Sequence, residues 1–156
     1  MWGLSRSEKE SQVAFNITGK KPAGAIPIVP IEKEVFKAWR KTQDKAMKSW
    51  VDSAGFTATP GAVSLVSGSD GKLECVLLGV EDHDGFWSYA GLPTTLPPGT
   101  YWIDARFEPE QATGAALGWA LGSYGFDRYK KSPREAPASL VWPENCDRGH
   151  VRRTAD

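Results

Sequence analysis

Gly114, Gly118 and Gly122 stand four residues apart within 112–124, a segment that carries no charged side chain and otherwise reads as a helix. No other feature of the chain restricts its fold so strongly. A glycine in a helix interior costs about 1 kcal/mol relative to alanine, so three cost about 3 kcal/mol, a sizeable part of a domain's net stability. Residues at i, i+4 and i+8 drift only slowly around a helix, so the glycines make one smooth stripe, and the compensation to expect is another backbone lying close against it. A run uncharged on every side predicts a helix buried nearly all round, against the sheet or a neighbouring helix. The glycines lie inside the helix and not in a loop before it, which argues against a phosphate cradle. The run is also shorter than the roughly 20 residues that a bilayer-spanning dimerisation motif needs. Pro109 suits the first turn, Glu108 and Glu110 suit the positive end of the helix dipole, and Gly125 is expected just past the end, giving a helix over Glu108–Tyr124.

Around this helix the other elements follow from periodicity and turn residues. AIPIVPI (25–31), bounded by Pro22 and Pro30, predicts a strand near a sheet edge, where a missing N–H costs least. Between Glu32 and Ser53 bulky residues including Val35, Phe36, Trp39, Met47, Trp50 and Val51 recur at helical spacing, predicting one long amphipathic helix stopped by Gly55. AVSLVS (62–67) and LECVLLGV (73–80) flank Gly68-Ser69-Asp70-Gly71 and predict a β-hairpin, its second strand central because it is almost continuously apolar. Residues 81–99 read as a loop, TYWIDA (100–105) as a strand and SLVW (139–142) as the last strand. Strands separated by helices imply an α/β sheet covered on its faces, with one antiparallel pair.

A length of 156 residues fits one domain, and 40% hydrophobic residues with seven Trp mark a chain that folds. The 19 basic and 19 acidic side chains cancel, so no global field gathers nucleic acid or an anionic membrane. The N-terminal MWGLSRSEKESQ lacks the apolar centre of a secretory signal and no apolar run is long enough to span a bilayer, so a cytoplasmic protein without membrane partners is expected. Cys75 and Cys146 are expected to stay unpaired, and two Cys with two His are too few for a zinc site of that type.

Two clusters could still carry chemistry. Glu81-Asp82-His83-Asp84, after a strand end, could approach a hard divalent cation, but consecutive side chains diverge, and a solvated loop is the plainer reading. Asp127-Arg128-Tyr129-Lys130-Lys131 with Arg134 could touch nucleic acid or phosphate; without a net positive domain, a structural role at the helix end is preferred. His83 and His150 lack any recognisable nucleophile context.

The run TGAALGWALGSYGFDRYKK, preceded by LPPGTYWIDARFEPEQA and followed by ASLVWPE, resembles the N-terminal domain of the leucyl (cytosol) aminopeptidase family. In that family a Gly- and Ala-rich helix ends in a Tyr-x-Phe-Asp-x-Tyr-Lys element, matched by Tyr124, Phe126, Asp127, Tyr129 and Lys130; the similarity is clearest from about Val76 onward. The resemblance implies a three-layer α/β/α sandwich with a mixed sheet, macro-domain-like. It implies a second, larger domain that holds two divalent metals, Zn or Mn, and the catalytic residues, in homo-hexamers that remove N-terminal amino acids from peptides. The family's metal ligands are Asp and Glu with a Lys, including an Asn-Thr-Asp-Ala-Glu-Gly-Arg segment, and that segment does not occur here. The expectation is therefore a domain without catalytic, cofactor-binding or metal-binding residues of its own. Its organisation is expected as a polar, partly flexible segment over 1–20, the aminopeptidase N-terminal domain over 21–148, and the start of a linker helix over 149–156. The alternatives are a self-sufficient macro-type module that binds ADP-ribose or a related nucleotide, and an assembly domain with no ligand. Some relatives of the family are linked to DNA binding, to which this sequence adds no support.

Overall fold

The computed structural model describes residues 17–19, 21–81, 86–129 and 138–155, without the side chains of 86–87, 124–129 and 155. The strands are β1 (Ile17–Thr18), β2 (Ile26–Glu32), β3 (Val63–Ser67), β4 (Leu73–Val80), β5 (Thr100–Ile103) and β6 (Ser139–Val141). The helices are α1 (Phe36–Lys41), α2 (Lys45–Ala54), α3 (Phe86–Ala90), α4 (Leu92–Thr95), α5 (Pro109–Tyr129) and α6 (Arg148–Ala155), with a 3-10 turn over Lys33–Val35. One sheet has the order β1-β6-β5-β2-β4-β3, parallel throughout except for the β3–β4 hairpin. This is the mixed sheet of a three-layer α/β/α sandwich, as expected.

Side chains alternate along each strand and so feed two cores. Ile28, Val76, Leu78, Val80, Tyr101, Ile103 and Leu140 meet Tyr89, Ala115, Ala116, Trp119 and Val151 of the helices on one face. Ile31, Cys75 and Leu77 meet Val51, Phe56 and Ala58 on the other, with Phe36, Trp39, Met47 and Trp50 packed around them. Every residue from Cys75 to Val80 is buried, which explains the unbroken apolar run of β4.

β2 is not an edge strand: β4 flanks it on one side and β5 on the other. Its prolines are accommodated by direction. The Asp104 N–H donates to the Ile28 carbonyl at 2.9 Å, so even-numbered residues of β2 turn their backbone groups toward β5 and odd-numbered ones toward β4. Pro30 thus faces the β5 side beyond the last paired residue, Ile28, and Pro27 faces the β4 side before that ladder begins at Ile28. Neither ladder loses a bond to a missing N–H.

The helix expected over Glu32–Ser53 is broken in two. Asp44 caps α2, its carboxylate accepting the Met47 N–H at 2.8 Å, while the Thr42 hydroxyl donates to the Trp39 carbonyl at 2.7 Å and closes α1. Gly55 ends α2 in the left-handed conformation (φ 69°), as expected. The supposed loop 81–99 contains α3 and α4, and Ile17–Thr18 pairs with β6. In α6 the Asp147 carboxylate accepts the His150 N–H at 3.0 Å, and Val151 is fully buried, so this helix is docked on the core.

The long helix departs from expectation in two ways. It runs through Gly125 to Tyr129, and it is not buried all round, since Leu121 is 40% exposed. Its glycines also differ from one another. A methyl group at Gly122 would run into the Ala90 carbonyl oxygen, 2.9 Å from that carbonyl's carbon and 3.2 Å from Pro93 Cδ, which is the close backbone approach predicted. Gly118 is buried. A methyl at Gly114 would meet nothing within 4 Å, so close packing does not explain that glycine. On the opposite face Gly79 of β4 admits the Ala58–Thr59 backbone in the same way as Gly122 admits Ala90.

Candidate binding cleft

Parallel strands of an α/β sheet open a crevice beyond their C-terminal ends where successive connections diverge to opposite sides. Here that point lies between β2 and β5. A cleft of about 710 Å³ occupies it, lined by Pro30 and Glu32 of β2, Val80 of β4, Val35, Tyr89 of α3, and the run from Ala105 to Glu108 with Glu110 and Gln111. The start of α5 is fixed locally: the Glu108 carbonyl accepts the Ala112 N–H at 3.0 Å, and the Gln111 side-chain oxygen reaches back to the Glu108 N–H at 3.0 Å. Asn145 Nδ2 donates to the Phe107 carbonyl at 3.2 Å, tying the β5–α5 connection to the segment before α6.

Tyr89 forms part of this cleft's inner wall. It is 1% exposed, packs edge-on against Phe107 with ring centroids 6.5 Å apart, and its hydroxyl has no hydrogen-bond partner among the described residues. Burial raises its phenol well above the ordinary value, so the group stays protonated as a donor. An unmade hydrogen bond at a buried hydroxyl costs about 1–3 kcal/mol. Glu32 is half-buried, while Arg106, Glu108 and Glu110 are exposed.

A second, smaller groove of about 380 Å³ runs between α5 and α6 past Pro109, Thr113, Gly114, Leu117, Asp147 and His150. The open glycine at 114 therefore borders a groove instead of a neighbouring backbone.

The two clusters singled out in the sequence contribute little that can be placed. Glu81 is exposed at the end of β4, and Asp82, His83 and Asp84 lie outside the described residues. Arg128 and the matching residues Tyr124, Phe126, Asp127 and Tyr129 lie on the last turns of α5, without described side chains; Lys130, Lys131 and Arg134 lie outside the described residues. His150 is exposed, 3.5 Å from the Thr154 hydroxyl. Cys75 and Cys146 are free; burial, helped by Glu74, pushes the Cys75 thiol up to about 11, and burial raises Cys146 as well. Both are thus kept as thiols. Among the described residues no three His, Cys, Asp or Glu side chains converge to hold a metal ion, so they do not fit a metal-binding role. No helix among them is long and apolar enough to cross a membrane.

The sequence pattern of the M17 aminopeptidase N-terminal domain matches residues 26–143, which spans β2 to the segment after β6. The chain belongs to the M17 aminopeptidase family. It carries that family's N-terminal domain, as the glycine-rich helix and its aromatic ending implied. The cytosol aminopeptidase of Coxiella burnetii is similar in structure, with a TM-score of 0.77 and 33% identity over 90% of this chain. The bottromycin maturation enzyme BotP, solved alone and in complex with Mn, shares the fold at TM-scores of 0.51 and 0.53 with 18% and 19% identity, each over 85% of this chain. This M17 domain spans 31% of the Coxiella enzyme's length and 29–30% of BotP's. No curated protein sequence matches it.

The cleft escaped the sequence reading because four separate segments build it. One signal was present, in RFEPEQ (106–111), where a charged run lies between a strand and a proline-initiated helix.

Proposed function

We propose that the chain serves as the non-catalytic N-terminal domain of a metal-dependent leucyl aminopeptidase, an enzyme that removes N-terminal amino acids from peptides in the cytoplasm. In this reading the two divalent metals, Zn or Mn, and the catalytic groups belong to a separate catalytic portion. The domain contributes to assembly, as part of a homo-hexamer, and to access to the active site. The observation that carries the reading is the agreement over 90% of this chain with only 31% of the Coxiella cytosol aminopeptidase. A domain that accounts for under a third of such an enzyme, with no converging metal ligands among its described residues, is suited to a supporting role.

The test is an assay of the 156-residue chain on leucine amide, with and without Mn²⁺ or Zn²⁺. No turnover is expected; appreciable metal-dependent hydrolysis would contradict the reading. The macro-type alternative gains nothing from the geometry. Among the described residues the cleft's lining contains three glutamates and no glycine, whereas a pyrophosphate needs exposed backbone N–H groups in glycine-rich loops. Calorimetric titration with ADP-ribose is expected to be silent.

A further inference from the structure

β3 forms one margin of the sheet, with β4 as its neighbour on one side and, among the described residues, no strand on the other. Its hydrogen bonding can be read from both ends: the Ala62 carbonyl accepts the Gly79 N–H at 2.8 Å, and the Gly68 N–H donates to the Lys72 carbonyl at 2.8 Å. Backbone groups alternate in direction along an antiparallel strand, so Ser64 and Val66 also bond toward β4, while Val63, Leu65 and Ser67 turn their N–H and C=O groups outward. The register shift between Val66 and Ser67 places its extra residue, Glu74, on β4, so β3 itself carries no bulge. The side chains of Ser64 and Val66 are buried, whereas Leu65 is 36% exposed and Ser67 is exposed as well. Such an edge is ordinarily guarded by a lysine, a proline or an inward-pointing charge. β3 has none of these, and no charged residue occurs anywhere in 56–69.

We propose that β3 pairs with β3 of a second copy of this chain, antiparallel about a twofold axis through Leu65. The outward set is symmetric about that residue: Val63 meets Ser67 of the second copy, Leu65 meets its own counterpart, and each pair exchanges both N–H···O bonds. The axis keeps the two Leu65 side chains on the same face of the joined sheets, where they cover apolar surface that one copy leaves exposed. Charge sets the direction. Exposed Asp70, Lys72 and Glu74 follow β3, and nothing charged precedes it back to Phe56, so antiparallel pairing sets each charged turn beside a neutral segment. Parallel pairing would set the two turns together, each charge beside its like. A foreign peptide is the poorer fit, because strand addition takes its specificity from pockets for alternate side chains, and neither cleft described above is lined by a residue of β3. Each copy has one β3, which the twofold contact uses, so assembly closes at two. Five residues make a contact about 17 Å long, which buries well under the roughly 1,200 Å² of a stable complex, so the dimer is reversible and forms at high concentration. The inference goes beyond the aminopeptidase role and does not depend on it.

The test is sedimentation equilibrium of the 156-residue chain from about 20 μM to about 1 mM, the range in which so small a contact should associate. A monomer–dimer equilibrium is expected. Leu65→Lys, at an exposed position, sets like charges opposite each other at the axis and should raise the dimer dissociation constant at least about tenfold, with the circular dichroism and denaturant melts of the fold retained. Leu65→Glu should do the same, and an equimolar mixture of the two variants should associate again, because position 65 faces position 65 across this axis. Hydrogen exchange followed by NMR locates the contact: the Val63, Leu65 and Ser67 amides should gain protection as concentration rises, while Ser64 and Val66 stay protected throughout. The proposal is overturned by a chain that stays monomeric up to about 1 mM, by a dimer indifferent to Leu65→Lys, by a mixture of the Lys and Glu variants that fails to associate, or by outward amides whose exchange ignores concentration.

Discussion

The two helical layers hold one sheet by different means. On one side α1 and α2 use bulk: Phe36 stacks on Trp39 at 6.0 Å and meets Phe56 edge-on at 5.7 Å, and Trp50 Nε1 donates to the Ser64 hydroxyl at 3.0 Å. On the other side α5 presents Ala112, Ala115, Ala116 and Ala120, all buried around Trp119, and lets the Ala90 backbone approach at Gly122. Large side chains fill a gap between elements, whereas small ones remove it. The first device tolerates a polar outer face, so α2 looks amphipathic. The second uses small residues with little regard to hydropathy, so α5 does not.

The bulky layer itself borrows the close approach at one place, and the largest loss is expected there. Gly79→Ala would drive a methyl into the Thr59 carbonyl oxygen, 2.8 Å from the Ala58 carbonyl carbon, and the loss expected in denaturant melts is about 3 kcal/mol. Trp50→Phe keeps much of the ring but leaves the Ser64 hydroxyl, on a residue only 7% exposed, without its donor; a loss of about 1–2 kcal/mol is expected by the same measurement. Asp44→Ala removes the α2 cap and should cost about 1 kcal/mol, with the helical signal of α2 fraying first in hydrogen exchange. The smallest effect belongs to Asp52→Asn. The hydrogen bond from Arg40 holds the Asp52 carboxyl below its ordinary value, with the charge of Arg40 a lesser cause. Stability from this pair is therefore present above the unfolded carboxylate pKa and is lost as pH falls through the lowered folded one. Both side chains are open to solvent, so the variant should shift the acid unfolding limb only slightly in a pH series of melts.

Much of the architecture was legible from local pattern. β3, β4, β5 and β6 are apolar runs bounded by turn residues, and the hairpin and the glycine at the end of α2 follow from chemistry carried within a few positions. What escaped depends on distant partners. The prolines of β2 look like edge residues until β4 and β5 are known to pair on opposite sides of it at offset positions. The break before α2 is hidden because the hydrophobic period continues through it, and only the Asp44 cap marks it. The glycines of α5 at 114, 118 and 122 form one sequence motif, yet Gly122 meets Ala90 and Gly114 meets a groove; the motif records spacing along the helix, not what lies opposite. The cleft, assembled from β2 and the 3-10 turn after it, the end of β4, α3, and the β5–α5 connection with the start of α5, is of the same kind.

Close backbone approach, and not glycine content as such, fixes α5 in place. The most direct measurement is the pair Gly122→Ala and Gly114→Ala in matched denaturant melts. Opposite signs are predicted: a loss of about 2–3 kcal/mol at Gly122, where the methyl has no room, and a gain of up to about 1 kcal/mol at Gly114, where only helix propensity changes. Equal shifts in the same direction would contradict it.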